Sequence, residues 1–418
     1  MLETGRKTEK SNVAETKKIG SSEHIELTEK YGAHNYHPLP IVIAEGDGVW
    51  VWDVEGRKYM DMLSAYSALN QGHRHPRIAA AMREQAEKLT LTSRAFYNDR
   101  LGTFSKKLCE LAGMDMCLMM NSGAEAVETA IKMARKWAYT VKGVPHNKAE
   151  IIVCDNNFHG RTTTVVGFST EDQYKDGFGP FTPGFKVIPY GDIAALENAI
   201  NGNTAAFLVE PIQGEGGVIV PGDGSLKRAK EICSANRVLL MADEIQTGLG
   251  RTGKLFCYEH DGATPDVLIV GKALSGGFMP VSAVLGSGEV MGVFKPGDHG
   301  STFGGCPIAC AVASAALDVI VEERLPERAA DMGSYFVSRL RAMNSPHVKE
   351  VRGKGLLIGV HVKDESGEGR IFCEKLMAEG ILAKETHVQV VRFAPPLVVT
   401  KDEIDWAMER ISKVFEGA

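Results

Sequence analysis

Val267-Leu268-Ile269-Val270-Gly271-Lys272-Ala273-Leu274-Ser275-Gly276-Gly277 decides the fold. Its four leading residues are apolar throughout and run into a glycine, which reads as a strand buried on both faces. A second run, Val238 to Ala242, ends the same way, in Asp243-Glu244-Ile245-Gln246. Ile151 to Cys154 and Ala206 to Val209 are two more short apolar runs, and helical patterns separate them all. That succession predicts an α/β fold with a mostly parallel sheet covered on both faces. Ligands of such sheets bind outside the carboxyl ends of the strands, so Lys272 and Asp243 are expected at one edge.

Working outward, Asn121-Ser122-Gly123-Ala124-Glu125 opens a helix whose apolar face is Val127, Ala130, Ile131, Ala134 and Ala138. Ile78, Met82, Ala86 and Leu89 predict another over 76–90. Val49 to Asp53 reads as a strand before a tight turn. Near residue 315 the pattern changes to a smaller α+β region, with strands at 356–362 and 388–392. Its last helix opens at a Thr400/Glu403 capping box. The expected division is a mobile tail over 1–30, a segment over 31–65 that joins the small domain, a large domain over 66–315 and a small domain over 316–418.

The chain has 418 residues, 44% hydrophobic and 24% charged, an ordinary globular balance with room for more than one core. A net charge of −6 argues against a nucleic-acid binder with a strongly basic surface. The eight cysteines include no C-x-x-C pair and read as buried thiols of a reducing compartment. Cys306 and Cys310 are four apart and could share a helix face, yet neither a metal nor a disulfide is expected there. No run is long and apolar enough to span a membrane. The first 20 residues lack an apolar core and carry Glu3, Glu9 and Glu15, against a secretory signal or a transit peptide. The expected location is the cytoplasm.

The chemistry starts at Lys272. A lysine at a strand exit can simply lie in water. This one precedes Ser275-Gly276-Gly277, where backbone can approach a ligand closely, and partial desolvation would leave its amine nucleophilic near pH 7. An amine that can condense with an aldehyde, beside an acid that can hold a pyridine nitrogen protonated, is what pyridoxal phosphate (PLP) needs. Asp243 supplies that acid, although a helix cap or an ion pair with Arg251 explains it equally well alone. Gln246 could reach the ring oxygen. The Ser122-Gly123-Ala124 turn could hold a phosphate at a helix N-terminus, or be an ordinary cap. Phe158 could stack on a ring or lie in the core. Arg161 could bind a carboxylate bidentately or form a surface ion pair.

Taken together, these pieces resemble the class III, PLP-dependent aminotransferases, and within them the branch that uses ornithine. The likeness covers Tyr31 to the C-terminus. It rests on YGAHNYHPLP (31–40), LTLTSRAFYN (89–98), VEPIQGE (209–215), ADEIQTGLGRTG (242–253), GKALSGG (271–277), HGST (299–302) and RFAPPL (392–397). It implies PLP-dependent transferase fold type I and a homodimer with shared sites. Lys272 would then carry the coenzyme, Asp243 would pair with its ring nitrogen, and Gln246 would contact its ring oxygen. Phe158 would stack on the ring, Gly123 and Ala124 would hold the phosphate, and Ser301 and Thr302 would reach the phosphate of the neighbouring subunit's site. For substrate, Tyr36 and Arg161 match residues that hold the α-amino acid end of L-ornithine, and Tyr66 one that shapes the pocket. Glu215 and Arg392 match a switch pair, masked for ornithine and released for the α-carboxylate of 2-oxoglutarate; they could also be a structural ion pair.

Two positions depart from the ornithine-using pattern. His159 stands where some members carry tryptophan, and Gly216 where alanine is frequent. Neither removes a catalytic group; both bear on how tightly the pocket grips substrate. The resemblance implies ping-pong transamination of L-ornithine and 2-oxoglutarate, with N-acetylornithine or 4-aminobutyrate as rival amino donors. An aminomutase or racemase would turn over without 2-oxoglutarate. A non-catalytic relative would show no coenzyme absorbance.

Overall fold

A computed structural model describes residues 19–417. Its central sheet has seven strands in the spatial order Met116–Met120, Ser282–Gly286, Val267–Val270, Leu239–Asp243, Thr204–Val209, Glu150–Cys154 and Phe185–Ile188. All run parallel except Ser282–Gly286, which is antiparallel to both its neighbours. The inner strands are apolar at successive positions because both faces are covered. Ile151, Val153, Ala206, Leu208, Met241 and Ile269 pack under the helix Gly123–Trp137. The alternate residues Ile152, Phe207, Leu240 and Leu268 join the opposite core, which includes the helix Pro307–Glu322. Burying each such side chain stabilises the fold by about 1.5–3 kcal/mol.

Three strands of this sheet escape the sequence reading. Met116–Met120 carries thioethers instead of β-branched residues, Phe185–Ile188 is a four-residue edge, and Ser282–Gly286 follows the Gly276-Gly277 loop closely. The helix expected over 76–90 closes at Ala86, where the Gln85 side-chain amide bonds the Leu89 carbonyl at 2.8 Å in place of a further turn.

The N-terminal segment forms an antiparallel meander, Ile43–Asp47, Trp50–Asp53 and Lys58–Asp61. Its last strand pairs in parallel with Ile381–Leu382, tying it to the C-terminal region. There Val348–Lys354, Leu357–Val362, Val390–Phe393 and Lys384–Thr386 form a second four-stranded sheet. The helix Lys401–Phe415 opens on Thr400 with both halves of its capping box formed. The tail expected over 1–30 is corrected at its end. Ser21–Tyr31 is helical, held by bonds from the Ser21 amide and hydroxyl to the Glu55 carboxylate at 2.8 and 2.6 Å. Residues 1–18 lie outside the described residues. Among the described residues no helix is long and apolar enough to cross a membrane.

Candidate active site

The carboxyl ends of the parallel strands converge on a cavity of about 260 Å³. Gly123, Ala124, Phe158, Asp243, Gln246, Lys272 and Glu215, all singled out from the sequence, line it, with His159 and Glu210. Lys272 stands just past Val267–Val270, in the left-handed region at φ 44°. Burial lowers the pKa of its amine, against the pull of Asp243 and Glu215.

Asp243 closes its strand and is buried. Its Oδ1 accepts the Ile245 amide at 3.1 Å, and its Oδ2 pairs with Nδ1 of buried His159 at 2.7 Å. Burial alone would push the imidazole down. The hydrogen bond and charge of Asp243 more than reverse this, so the His159 pKa is raised. His159 Nε2 has no protein partner among the described residues. Glu210 follows the strand Thr204–Val209 and accepts the Phe158 amide at 2.9 Å, which places the backbone behind that ring. Burial pushes the Glu210 carboxyl up to about 7 despite nearby His159. The sequence reading gave Glu210 no role and treated His159 only as a departure. Glu210 was detectable, because it follows a buried strand as Asp243 does. The His159–Asp243 contact, across 84 residues, was not.

Across the cavity, Glu215 Oε1 accepts Arg392 Nη1 at 2.5 Å and Gln246 Nε2 at 3.2 Å. Burial works against the Glu215 charge, but Arg392 and Gln246 outweigh it and hold the carboxyl below its ordinary range. Arg392 is buried, and its Nε and Nη2 have no partner among the described residues. Its guanidinium lies 5.2 Å from the centre of the Tyr66 ring. Burial first, and the Glu215 charge next, raise the Tyr66 hydroxyl pKa, so Tyr66 remains a donor. The Gly214 backbone lies so close to Gln246 that a Cβ there would sit 1.5 Å from Gln246 Oε1. A Cβ at Gly216 would sit 2.9 Å from the Asn156 carbonyl oxygen, which gives that departure a local reason.

At the helix N-terminus the Ser122 and Glu125 side chains consume three backbone donors. Glu125 Oε2 accepts the Asn121 and Ser122 amides at 3.0 and 2.7 Å, and Ser122 Oγ accepts the Glu125 amide. The expected phosphate turn therefore narrows to the amides of Gly123 and Ala124, which line the cavity.

Other expected residues lie outside this cavity. Tyr36 is 75% exposed and lines a second cavity of about 460 Å³, which Tyr66 also lines. Arg161 is exposed and stacks 3.5 Å over the Tyr174 ring instead of forming an ion pair. Ser301 Oγ accepts the Asn121 side-chain amide of the same chain at 2.7 Å, and Thr302 is exposed.

The residues fit pyridoxal phosphate. A buried acid bonded to a buried imidazole, an amine of lowered pKa, the start of a helix at Gly123 and Ala124, and the Gln246 amide surround one space. In comparisons with known proteins, residues 31–415 match the aminotransferase class-III family model. An ornithine aminotransferase of Geobacillus sp. strain WCH70 is 60% identical over 397 residues, 95% of this chain and 99% of that protein. The crystal structure of an ornithine aminotransferase from Toxoplasma gondii ME49 superposes with a TM-score of 0.94 at 50% identity, covering 95% of each chain. That of an acetylornithine aminotransferase from Elizabethkingia anophelis gives 0.87 at 52% identity, covering 95% of this chain and 99% of the other.

Proposed function

The chain belongs to the class-III aminotransferases and is a PLP-dependent transaminase; from that premise we propose that it transfers the δ-amine of L-ornithine to 2-oxoglutarate. The products are L-glutamate and glutamate 5-semialdehyde, which loses water to close into pyrroline-5-carboxylate. One observation carries the substrate pair: a buried guanidinium, Arg392, bonded to one carboxylate oxygen and left with two unpartnered nitrogens.

Lys272 is the covalent and proton-moving residue, and Asp243, oriented by His159, is the acid for the ring nitrogen. Gly123 and Ala124 would hold the phosphate, Phe158 would cover the ring, and Gln246 would meet the ring oxygen, all of them lining the same cavity. Bound here, the coenzyme supplies an electron-poor ring that delocalises the charge left when the carbon bearing the amine is deprotonated. Lys272 Nζ takes that proton from the δ-carbon of ornithine, and in the return half delivers one to the α-carbon of the nascent glutamate. Tyr36 and Arg161 close on the α-amino acid end of ornithine. Ser301 and Thr302 complete the phosphate site of a second copy in a homodimer. The large domain over 66–315 carries the coenzyme, and the regions on either side of it in sequence carry Tyr36 and Arg392.

Borohydride treatment of the holoenzyme tests this reading. The coenzyme should remain covalently on Lys272 in a peptide digest, and ornithine should bleach the visible band that 2-oxoglutarate restores. Label on another side chain, or on none, overturns the reading.

The Glu215–Arg392 pair explains how one site accepts two unlike substrates. Paired, it presents little net charge to an ω-amine end; opened, it presents two to three N–H groups to a carboxylate. Arg392→Ala should therefore lower kcat/KM for the 2-oxoglutarate half-reaction about 100- to 1000-fold, and the ornithine half-reaction less than about tenfold. Glu215→Gln should reverse the order, because an unmasked cation repels the amine. Stopped-flow measurement of each half-reaction checks both, and equal losses in the two halves would make the pair merely structural.

The 52% identity to an acetylornithine aminotransferase favours N-acetylornithine as the second reading. Faster coenzyme bleaching by N-acetylornithine than by ornithine would replace the first reading with the second.

A further inference from the structure

Ser64, Ala65, Tyr66 and Ser67 have φ of 51°, 47°, 60° and 70°. Left-handed backbone costs a non-glycine residue about 1–2 kcal/mol, and such residues ordinarily occur singly. A full turn of them persists only where its surroundings over-determine it, and such strain concentrates at functional sites.

The surroundings here come from two directions. Asp61 Oδ1 accepts the amides of Leu63 and Ser64, each at 2.8 Å, while its Oδ2 pairs with His73 Nε2 at 2.8 Å. Ser64 Oγ donates to the Ala394 carbonyl at 2.7 Å, and the Ala394 amide donates to the Met62 carbonyl at 2.7 Å. Ala394 lies two residues beyond Arg392. The turn is thus stitched to the stretch that carries the guanidinium, and its third residue, Tyr66, sets its ring against that guanidinium.

We infer that Asp61 is a positioning residue for substrate selection: by clamping the left-handed turn it holds Tyr66 against Arg392, and so orients the guanidinium toward a substrate carboxylate. A right-handed turn at 64–67 would send the Tyr66 side chain elsewhere, leaving one face of Arg392 uncovered. The inference rests on the reading of Arg392 as the carboxylate site.

The test uses the holoenzyme and glutarate, a dicarboxylate with no reacting group, titrated calorimetrically, with kcat measured alongside. Asp61→Ala and Ser64→Ala should each weaken glutarate binding about tenfold while kcat changes by less than about twofold. Asp61→Asn, which keeps an acceptor oxygen for the two amides, should restore most of the affinity. When Tyr66→Ala is already present, Asp61→Ala and Ser64→Ala should change glutarate binding by less than about twofold. The same loss with and without Tyr66→Ala, or a lowered Tm with unchanged glutarate affinity, overturns the inference. Should Asp61→Ala fail to fold, Ser64→Ala, which removes one hydroxyl, decides by the same comparison. The parent reading fails separately, if Arg392→Ala leaves glutarate binding untouched.

Discussion

Lys272→Ala is expected to reduce kcat/KM for both half-reactions by at least about 10⁴-fold, the upper range for removal of one proton-transfer group. The loss should fall on kcat, because the groups proposed to hold the two substrates, Arg392, Glu215 and Tyr66, are untouched. The proton has no other carrier at that position. Among the groups lining the cavity, Asp243 is committed to His159, Glu215 to Arg392, and Glu210 to the Phe158 amide. A small primary amine added to the solution should restore part of the rate by entering the space vacated by the side chain. The wild-type enzyme should lose rate as pH falls through the lowered pKa of Lys272, since a protonated Nζ cannot accept the substrate proton. That acid limb should vanish in Lys272→Ala rescued by an external amine, and be replaced by one that follows the pKa of the added amine. Rates within about tenfold of wild type would remove Lys272 from the chemistry.

Asp243→Asn is expected to lower kcat in both half-reactions by about 10²–10³-fold, the range for losing one group that stabilises charge developing in the transition state. The substitution keeps the shape and the Ile245 bond but removes the charge, and an amide at 243 cannot keep a pyridine nitrogen protonated. It also removes the hydrogen bond and charge that raise the His159 pKa. Burial then prevails, and the imidazole pKa should fall, which NMR titration of the ring can follow. His159→Asn should be milder, about 10- to 100-fold, as for other residues that orient a group already in contact with the reacting centre. If Asp243→Asn cost no more than His159→Asn, the carboxylate would be a structural partner of the histidine and nothing more.

Much of the sheet could be read locally. Ile151–Cys154, Ala206–Val209, Val238–Ala242 and Val267–Val270 are apolar at every position because alternate residues enter different cores. Strands without that signal were missed. Met116–Met120 is an edge strand paired only to Ser282–Gly286, and its Met and Cys side chains carry no β-branched signal. At the site, Asp243 and Lys272 were legible because each stands at the end of a buried apolar run, and Gly123 because its stretch opens a helix. The narrowing of the phosphate turn was not, because Glu125 spends its carboxylate on the amides of Asn121 and Ser122 only once the helix exists.

The chain alone determined which strands deliver chemistry to one edge of the sheet, since an apolar run followed by Gly-Lys or Asp-Glu is a local property of consecutive residues. The tertiary structure alone decided which of those groups act on one another. It set His159 against Asp243, Glu210 behind Phe158, Tyr66 and Glu215 beside Arg392, and four left-handed residues in a stretch with no glycine. Each of these depends on hydrogen bonds and charges closing over tens to hundreds of residues, where their strength follows from burial and distance that sequence spacing does not encode.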